Sequence, residues 1–415
     1  MQWINALSTQ VSLEAAIGEV AAQVERSLTA PPDLGIILVS ASFASDYPRL
    51  LPLLRERLPL PTLIGCGGAG IVGSYPDASA EEIEAGTALS LSVANLPGAT
   101  VQAFHVNAAD LPDLDSSPES WHALTGVAPA DPLGFVLLVD PFSARINDLI
   151  EGLDYAYPQA AKIGGLASSG TPGTPSGLLL ARDGVDQLHR EGTVGLALGG
   201  NAVLDAIVAQ GCRPIGQPYV VAQGERNVVL ELAEPVAAGR SEARPQPPLQ
   251  ILRDLIQTLS PADRELAQHS LFVGLARDEF KLQLGPGDFL IRNLIGVDPK
   301  VGAIAIGDRV RAGQRLQFHL RDRDTSAEDL TTLLTAYQQQ QDGDSQPLGA
   351  LMFACLGRGR GLYDQANFDS RRFQEYIGNI PLGGFFCNGE IGPVGGQTFL
   401  HGYTSVFGIV RSRPA

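Results

Sequence analysis

The sequence predicts an α/β fold in which repeated βαβ units build two mixed sheets flanked by helices. Three short apolar runs carry this prediction: Ile36 to Val39, Phe135 to Val139 and Ala350 to Phe353. Each is followed by a helical stretch and then by a second run that closes on glycine, at Gly65, Gly164 and Gly383. The distance from run start to closing glycine is 29, 29 and 33 residues, a length that suits parallel pairing through a right-handed crossover. Between these units lie antiparallel-looking segments, Ala88 to Val93, Leu178 to Ala181, Gly192 to Leu198 and Phe399 to Val410, which make the sheets mixed. Two such sheets packed face to face would form a four-layer α/β/β/α arrangement.

The elements follow in order. Ser12 is a candidate N-cap, with Leu13, Ala16, Ile17, Val20 and Val24 at helical spacing behind it. Leu50 to Leu58 and Ile146 to Tyr155 read as the crossover helices of the first two units, and Ser370 to Tyr376 as that of the third. In the middle of the chain Gly211 to Gly216 reads as a loop and Asn227 to Leu232 as a fresh strand. A Pro-rich loop, Pro235 to Pro248, and a helix over Leu249 to Leu259 follow. The fresh strand places a domain boundary near residue 225, giving domains 1–225 and 226–415. Strands are expected over Leu271 to Ala276, Phe289 to Ile295, Gly302 to Ile306 and the alternating Gln314 to Leu320. Ser326 is expected to cap a helix over Glu328 to Gln338.

Composition narrows the function. The chain has 415 residues, enough for two or three domains at roughly 150 residues each. With 44% hydrophobic and 18% charged residues it can bury a large core. A net charge of -16 opposes binding to nucleic acid phosphates or anionic lipid, and the Arg311 to Arg323 stretch is diluted by Asp308 and Asp322. No run of about 18 apolar residues predicts a membrane span. The first residues lack the basic and apolar regions of a secretory signal, so a cytoplasmic location is expected. The four cysteines, Cys66, Cys212, Cys355 and Cys387, are widely spread, without the CxxC spacing of a zinc site.

The closing turns are the most specific feature. They read Gly65-Cys-Gly-Gly-Ala-Gly70, Gly164-Gly-Leu-Ala-Ser-Ser-Gly170 and Gly383-Gly-Phe-Phe-Cys-Asn-Gly-Glu-Ile-Gly392. The last, with Phe353-Ala-Cys-Leu-Gly-Arg-Gly359 before it, resembles the C-terminal FIST domain. Gly287 to Pro299 and Gly307 to Arg315 resemble that domain too. The first two turns are similar to the N-terminal FIST domain, so the likeness spans roughly 30 to 410. It implies a sensory module that binds a small ligand, amino-acid-like in some proposals, and signals to a histidine kinase or other separate partner. Some bacterial relatives bind haem and sense nitric oxide, and eukaryotic F-box relatives recruit proteins. A haem-binding gas sensor and a ligand-free protein scaffold therefore stand as alternatives.

Candidate ligand-binding residues follow from the turns gathering at one sheet rim, where strand-end loops form a crevice. These are Gly65, Cys66, Gly67, Gly164 and Gly165, whose small size lets backbone amides approach an anion. Arg358 and Arg360 are candidates for a carboxylate, and Cys387, Asn388 and Glu390 for the opposite end of a ligand. A structural pair between Arg358 and Glu390 or Asp369 is the competing reading. Gly65 to Gly70 also fits G-x-G-x-x-G, but Gly73 and Pro76 argue against the helix a dinucleotide site needs. His401 is the candidate axial ligand if a haem is bound. No HxxxH pair, G-x-S-x-G elbow or phosphate loop is present, and no enzyme activity is expected.

Overall fold

The computed structural model describes residues 1–168, 177–235, 244–279, 281–285, 287–341 and 345–413. Ser169 and Gly170 of the second glycine turn, and most of the Pro-rich stretch, lie outside these residues. The chain divides into two compact units, 1–209 with 330–415, and 210–329.

The first unit holds three six-stranded mixed sheets, not the two expected from sequence, so a two-sheet, four-layer stacking does not describe it. The first sheet runs Gln2–Ser8, Leu89–Asn95, Leu34–Ser40, Thr62–Gly68, Leu178–Arg182, Val185–His189. The second runs Ala99–Val106, Thr193–Gly200, Leu133–Val139, Ala161–Leu166, Glu390–Val394, Gln397–His401. The third runs Ala202–Ala209, Ser405–Ser412, Pro347–Cys355, Leu382–Cys387, Ile71–Ser74, Ala80–Ile83. In each sheet only the central pair is parallel. These pairs are the strands of the three βαβ units.

Each sheet ends in a hairpin that comes from a different repeat. The hairpin following the first closing strand joins the third sheet, that of the second repeat joins the first, and that of the third joins the second. The three repeats are therefore interlocked in a cycle. No one of them completes its own sheet.

The central strands are buried on both faces, which explains their near-continuous apolar sequences. Alternate residues serve different cores. Leu38, Ile64, Leu138, Ile163, Phe353 and Phe385 point into one core shared by all three sheets. The intervening Ile37, Val39 and Leu63 pack on helices Leu13–Ser27 and Tyr47–Arg57. Phe135 and Leu137 pack on Trp121 and on Leu149 and Leu153 of helix Ile146–Ala156, while Met352 and Leu382 pack with Phe373 of helix Phe368–Ile377. Ser12 caps the first helix, its hydroxyl accepting the Ala15 N–H at 3.2 Å.

The crossover helix of each sheet also grips the incoming hairpin. Arg55 pairs with Asp186 in the first sheet. In the second, Asp154 accepts from the Thr398 N–H at 2.6 Å and hydroxyl at 2.8 Å. In the third, Ser370 N–H donates to Glu82 at 2.7 Å and the Asn367 side chain accepts the Glu82 N–H at 2.8 Å.

The second unit contains a closed antiparallel barrel that the sequence reading did not anticipate. Its order is Arg213–Glu225, Val228–Ala233, Ala303–Ile306, Phe289–Asp298, Leu271–Ala276, Arg315–Leu320, which returns to the first strand. Val221, Val229, Val273, Ile304, Leu316 and Phe318 fill its interior. Along the chain the barrel is an insertion, between the first strand of the third repeat and the helix Arg323–Gln340. The boundary expected near 225 falls at a hairpin turn, where Arg226 adopts φ +55° between two paired strands. The segment Gly211 to Gly216, read as a loop, runs into the long first barrel strand. Ser326 lies inside its helix and does not cap it. Asp322 performs that role, accepting the Thr325 N–H at 2.7 Å, and the Ser326 hydroxyl donates to the Gly211 carbonyl at 3.0 Å.

Lys162 shows how much the interlocking costs to undo. Its side chain is 1% exposed, with Nζ 2.8 Å from Asp154 and 2.5 Å from the Tyr157 carbonyl. Burial pulls its pKa down, and the Asp154 carboxylate opposes that shift. Asp154→Ala strands this ammonium and frees the donated hairpin at Thr398. A loss of about 3–5 kcal/mol is expected in urea unfolding, whereas Asp154→Asn, which keeps one of the two acceptor oxygens, should lose less.

Candidate functional site

The three glycine turns do gather at one place, in a closed ring of backbone hydrogen bonds. At each strand end the same contact is made to the hairpin of another repeat. Gly67 N–H donates to the Gly177 carbonyl (3.1 Å), Leu166 N–H to that of Gly389 (2.8 Å) and Phe386 N–H to that of Gly70 (2.9 Å). A second ring joins the turns themselves. Asn388 N–H donates to the Leu166 carbonyl (3.1 Å) and Ser168 N–H to the Gly67 carbonyl (3.2 Å). The third link uses a side chain: Ala69 N–H donates to Ser168 Oγ at 2.8 Å, and that hydroxyl donates to the Phe386 carbonyl.

The glycines are required by close approach. A Cβ on Gly65, Gly164 or Gly384 would lie 2.3, 1.9 or 2.1 Å from the carbonyl oxygen of Ile37, Leu137 or Met352, the same position in each parallel pair. One on Gly67 would meet the Tyr47 hydroxyl at 2.1 Å, and one on Gly165 the Cys387 sulfur at 2.3 Å. The turn amides donate to one another across the ring.

The structure brings Gly65, Cys66, Gly67, Gly164, Gly165, Cys387, Asn388 and Glu390 together around this ring. Cys66 and Cys387 are fully buried, and burial pushes both thiols up, the Glu390 carboxylate adding to the effect at Cys387. Asn388 Nδ2 donates to the Ala167 carbonyl at 3.1 Å. The buried Glu390 carboxylate accepts the Thr404 N–H at 3.1 Å.

Arg358 takes the structural pairing that competed with a ligand contact. Its side chain has no exposure and forms a two-point pair with Asp369, Nε–Oδ2 at 2.7 Å and Nη2–Oδ1 at 3.0 Å. Nη2 also donates to the Tyr363 hydroxyl at 2.5 Å. Arg360 is separate from the ring, an exposed residue whose backbone N–H donates to the Glu84 carboxylate at 2.8 Å. His401 is buried in the strand pair Glu390–His401, its Nε2 2.9 Å from the Gly392 carbonyl. An axial ligand needs a ring nitrogen aimed into an open apolar slot. With His401 only 4% exposed, a haem could reach its ring only by displacing the packing around that hairpin.

Two features were missed in the sequence. The first is Glu82, 5% exposed, beside Asp369 and under helix Phe368–Ile377. Burial, then the Asp369 carboxylate, push its carboxyl up to about 7. The only sequence signal is a pair of acids in the alternating Ala80-Glu-Glu-Ile83, which reads equally well as a solvated edge.

The second is a cleft of about 660 Å³ in the barrel unit, between helix Pro248–Thr258 and the first two barrel strands. Leu232 and Ile251 line it with apolar surface, and Tyr219, Glu234, Arg244 and Asp254 present polar groups. Burial raises the Tyr219 phenol, and the Glu234 and Asp254 carboxylates push it the same way. Asp254 is held by Gln250 Nε2 at 2.9 and 3.0 Å. Ile251, Asp254, Leu255 and Thr258 fall on one helix face at spacings of three and four. That periodicity and the opposing strand Val228–Ala233 were visible, but the long strand Arg213–Glu225 was not, since Gly211 to Gly216 reads as a loop.

The ring gives a direct stability test. Ser168→Ala unpairs the Ala69 N–H and the Phe386 carbonyl together and should cost about 1–3 kcal/mol in guanidinium unfolding. Gly164→Ala should be far more disruptive, because the added carbon has no space against Leu137.

Comparisons with known proteins cover most of the chain. The FIST N domain model matches residues 33–234 and the FIST C domain model matches 248–393. An uncharacterized protein of Mycobacterium tuberculosis is 35% identical over 403 residues, covering 96% of this chain and 97% of its own. An uncharacterized Mycobacterium bovis protein is 33% identical over 411 residues, covering 97% and 96%. An F-box/LRR-repeat protein of Arabidopsis thaliana is 30% identical over 118 residues, 25% of this chain and 22% of its own. Among solved structures, a cyanuric acid hydrolase from A. caulinodans covers 99% of both chains at a TM-score of 0.35 and 9% identity. Among the described residues no helix is long and apolar enough to cross a membrane. With both domain models matched in order along most of its length, the chain belongs to the FIST family, whose domains are generally regarded as sensory, signal-transduction modules.

Proposed function

We propose that this protein is a small-ligand-binding sensory module, not an enzyme, that passes its signal to a separate partner such as a histidine kinase. The barrel cleft carries the reading. Its volume lies in the range of small-molecule sites, and it combines apolar surface with a few convergent polar groups. The ring of glycine turns is the weaker candidate, because its amides and the Arg358 guanidinium already have partners within the fold.

The chemistry of the cleft favours a ligand with an amine and an apolar portion, in keeping with an amino-acid-like molecule. Glu234 and Asp254 would receive the ammonium, Arg244 a carboxylate, and Leu232 and Ile251 the hydrocarbon. A thermal-shift screen of amino acids and small amines should then find saturable stabilisation, about 2.7 kcal/mol at a hundredfold excess over Kd. Asp254→Asn should abolish the shift while leaving the unliganded melting temperature nearly unchanged. A flat screen on the wild-type chain, or a shift untouched by Asp254→Asn and Glu234→Gln, removes this cleft as the sensing site.

A further inference from the structure

Outside the cleft, the third sheet contains an arrangement of charges that do not balance. Arg358 and Asp369 form a buried pair, both at zero side-chain exposure. Glu82 is added to that pair from the first repeat, on the donated strand Ala80–Ile83. With Glu82 ionised, one buried guanidinium faces two buried carboxylates, leaving one negative charge uncompensated. With Glu82 protonated, the cluster is neutral. The hydrogen bonds show the same imbalance. Ser370 N–H serves Glu82 Oε1 at 2.7 Å and the Ser370 side chain also acts on the carboxyl, while Glu82 Oε2 has no well-aligned hydrogen bond among the described residues. A proton on Glu82 supplies a donor that the ionised form lacks.

We propose that Glu82 is a proton-binding site that controls how firmly the donated hairpin, Ile71–Ser74 with Ala80–Ile83, is held to helix Phe368–Ile377 of the third repeat. Protonated, Glu82 locks the hairpin under the helix. Ionised, it repels Asp369 and loosens the clasp. The groups around it are few. Asp369 and Ser370 face it from the helix, and Tyr363 from the short helix Arg360–Tyr363, with Arg358 beyond Asp369. Glu84 acts on it from its own hairpin and is itself occupied by the Arg360 N–H. Glu81 turns to the Tyr75 hydroxyl, Arg372 to Glu375, and Arg371 is exposed. Among the described residues none of these contacts supplies a second cation.

The sign of the effect is set by where Glu82 holds its proton. Its value in the folded chain is above its ordinary 4.5, so the folded state binds the proton more tightly than the unfolded state. The stability attached to this group is full below about 4.5, falls as the pH rises towards about 7, and then levels off. The inference is independent of the ligand cleft, which lies in the other unit.

Hydrogen exchange on the full-length chain tests it, with rates corrected for the intrinsic pH dependence. In the wild type, amides of 80–83 and 368–371 should exchange about tenfold or more faster at pH 8 than at pH 5.5, while the first sheet does not change. Glu82→Gln, which keeps the shape and removes the charge, should show at pH 8 the protection that the wild type has at pH 5.5. Its melting temperature at pH 8 should exceed that of the wild type by about 2–4 °C. Glu84→Gln should retain the wild-type pH dependence. Protection at 80–83 that is independent of pH in the wild type overturns the proposal even if the variant fails to fold. A Glu82→Gln chain that loosens at pH 8 as the wild type does overturns it as well.

Discussion

The cyclic exchange of hairpins governs the rest of the three-sheet unit. Each repeat contributes four strands to its own sheet and a two-stranded hairpin to another, so each sheet is finished by a hairpin from elsewhere. The exchange works only if the chain can pass from one sheet to another at the ends of the closing strands. There the backbone of three repeats meets, and its N–H and C=O groups must pair with each other because water is excluded. Two links of the inner ring are made directly and one is bridged by Ser168. This single hydroxyl makes the ring chemically asymmetric while the strand pairing around it repeats three times.

Glycine is the residue that such a crossing allows. At Gly65, Gly164 and Gly384 the constraint is the carbonyl of the parallel partner strand, within 2.3 Å of any Cβ. A helix on the outer face and the common core on the inner face leave the strand no freedom to move away. The same tight packing explains the polar clasps between helices and hairpins. Arg55 with Asp186 is surface-exposed enough to contribute little, whereas Lys162 with Asp154, and Glu82 beside Asp369 and Arg358, are buried where an unpaired charge is costly. Three equivalent clasps have thus been built with different chemistry, and only the third holds an excess carboxylate.

The two units present different opportunities for recognition. In the repeat unit, most of the polar groups that sequence reasoning offered to a ligand have been absorbed by the fold, Arg360 excepted: Arg358 by Asp369, Asn388 by the Ala167 carbonyl, the turn amides by one another. In the barrel unit, helix Pro248–Thr258 lies beside the first two strands and leaves a cleft in which acid, base and phenol face a shared space. The proposed ligand-binding reading therefore rests on the insertion and not on the repeat unit.

Much of this architecture was legible in the sequence. The three βαβ units announce themselves through apolar runs such as Ile36 to Val39 and Phe135 to Val139, since strands buried on both faces have nearly unbroken hydrophobic sequences. The glycine turns were equally plain, as was the helix capped by Ser12, because both are set by local backbone geometry. What the sequence could not decide was which sheet each hairpin joins. Ile71–Ser74 pairs with Gly384 and Phe385, more than three hundred residues away, and nothing in its alternation names that partner. Closure of the barrel, the interruption of the third repeat at 210–329, and the burial of Glu82 against Asp369 all depend on such long-range pairings. Local pattern determined which segments are strands and where they must turn. Only the tertiary structure settled which backbone edges meet, because edge pairing is chosen by the packing of whole sheets and not by the residues of one strand.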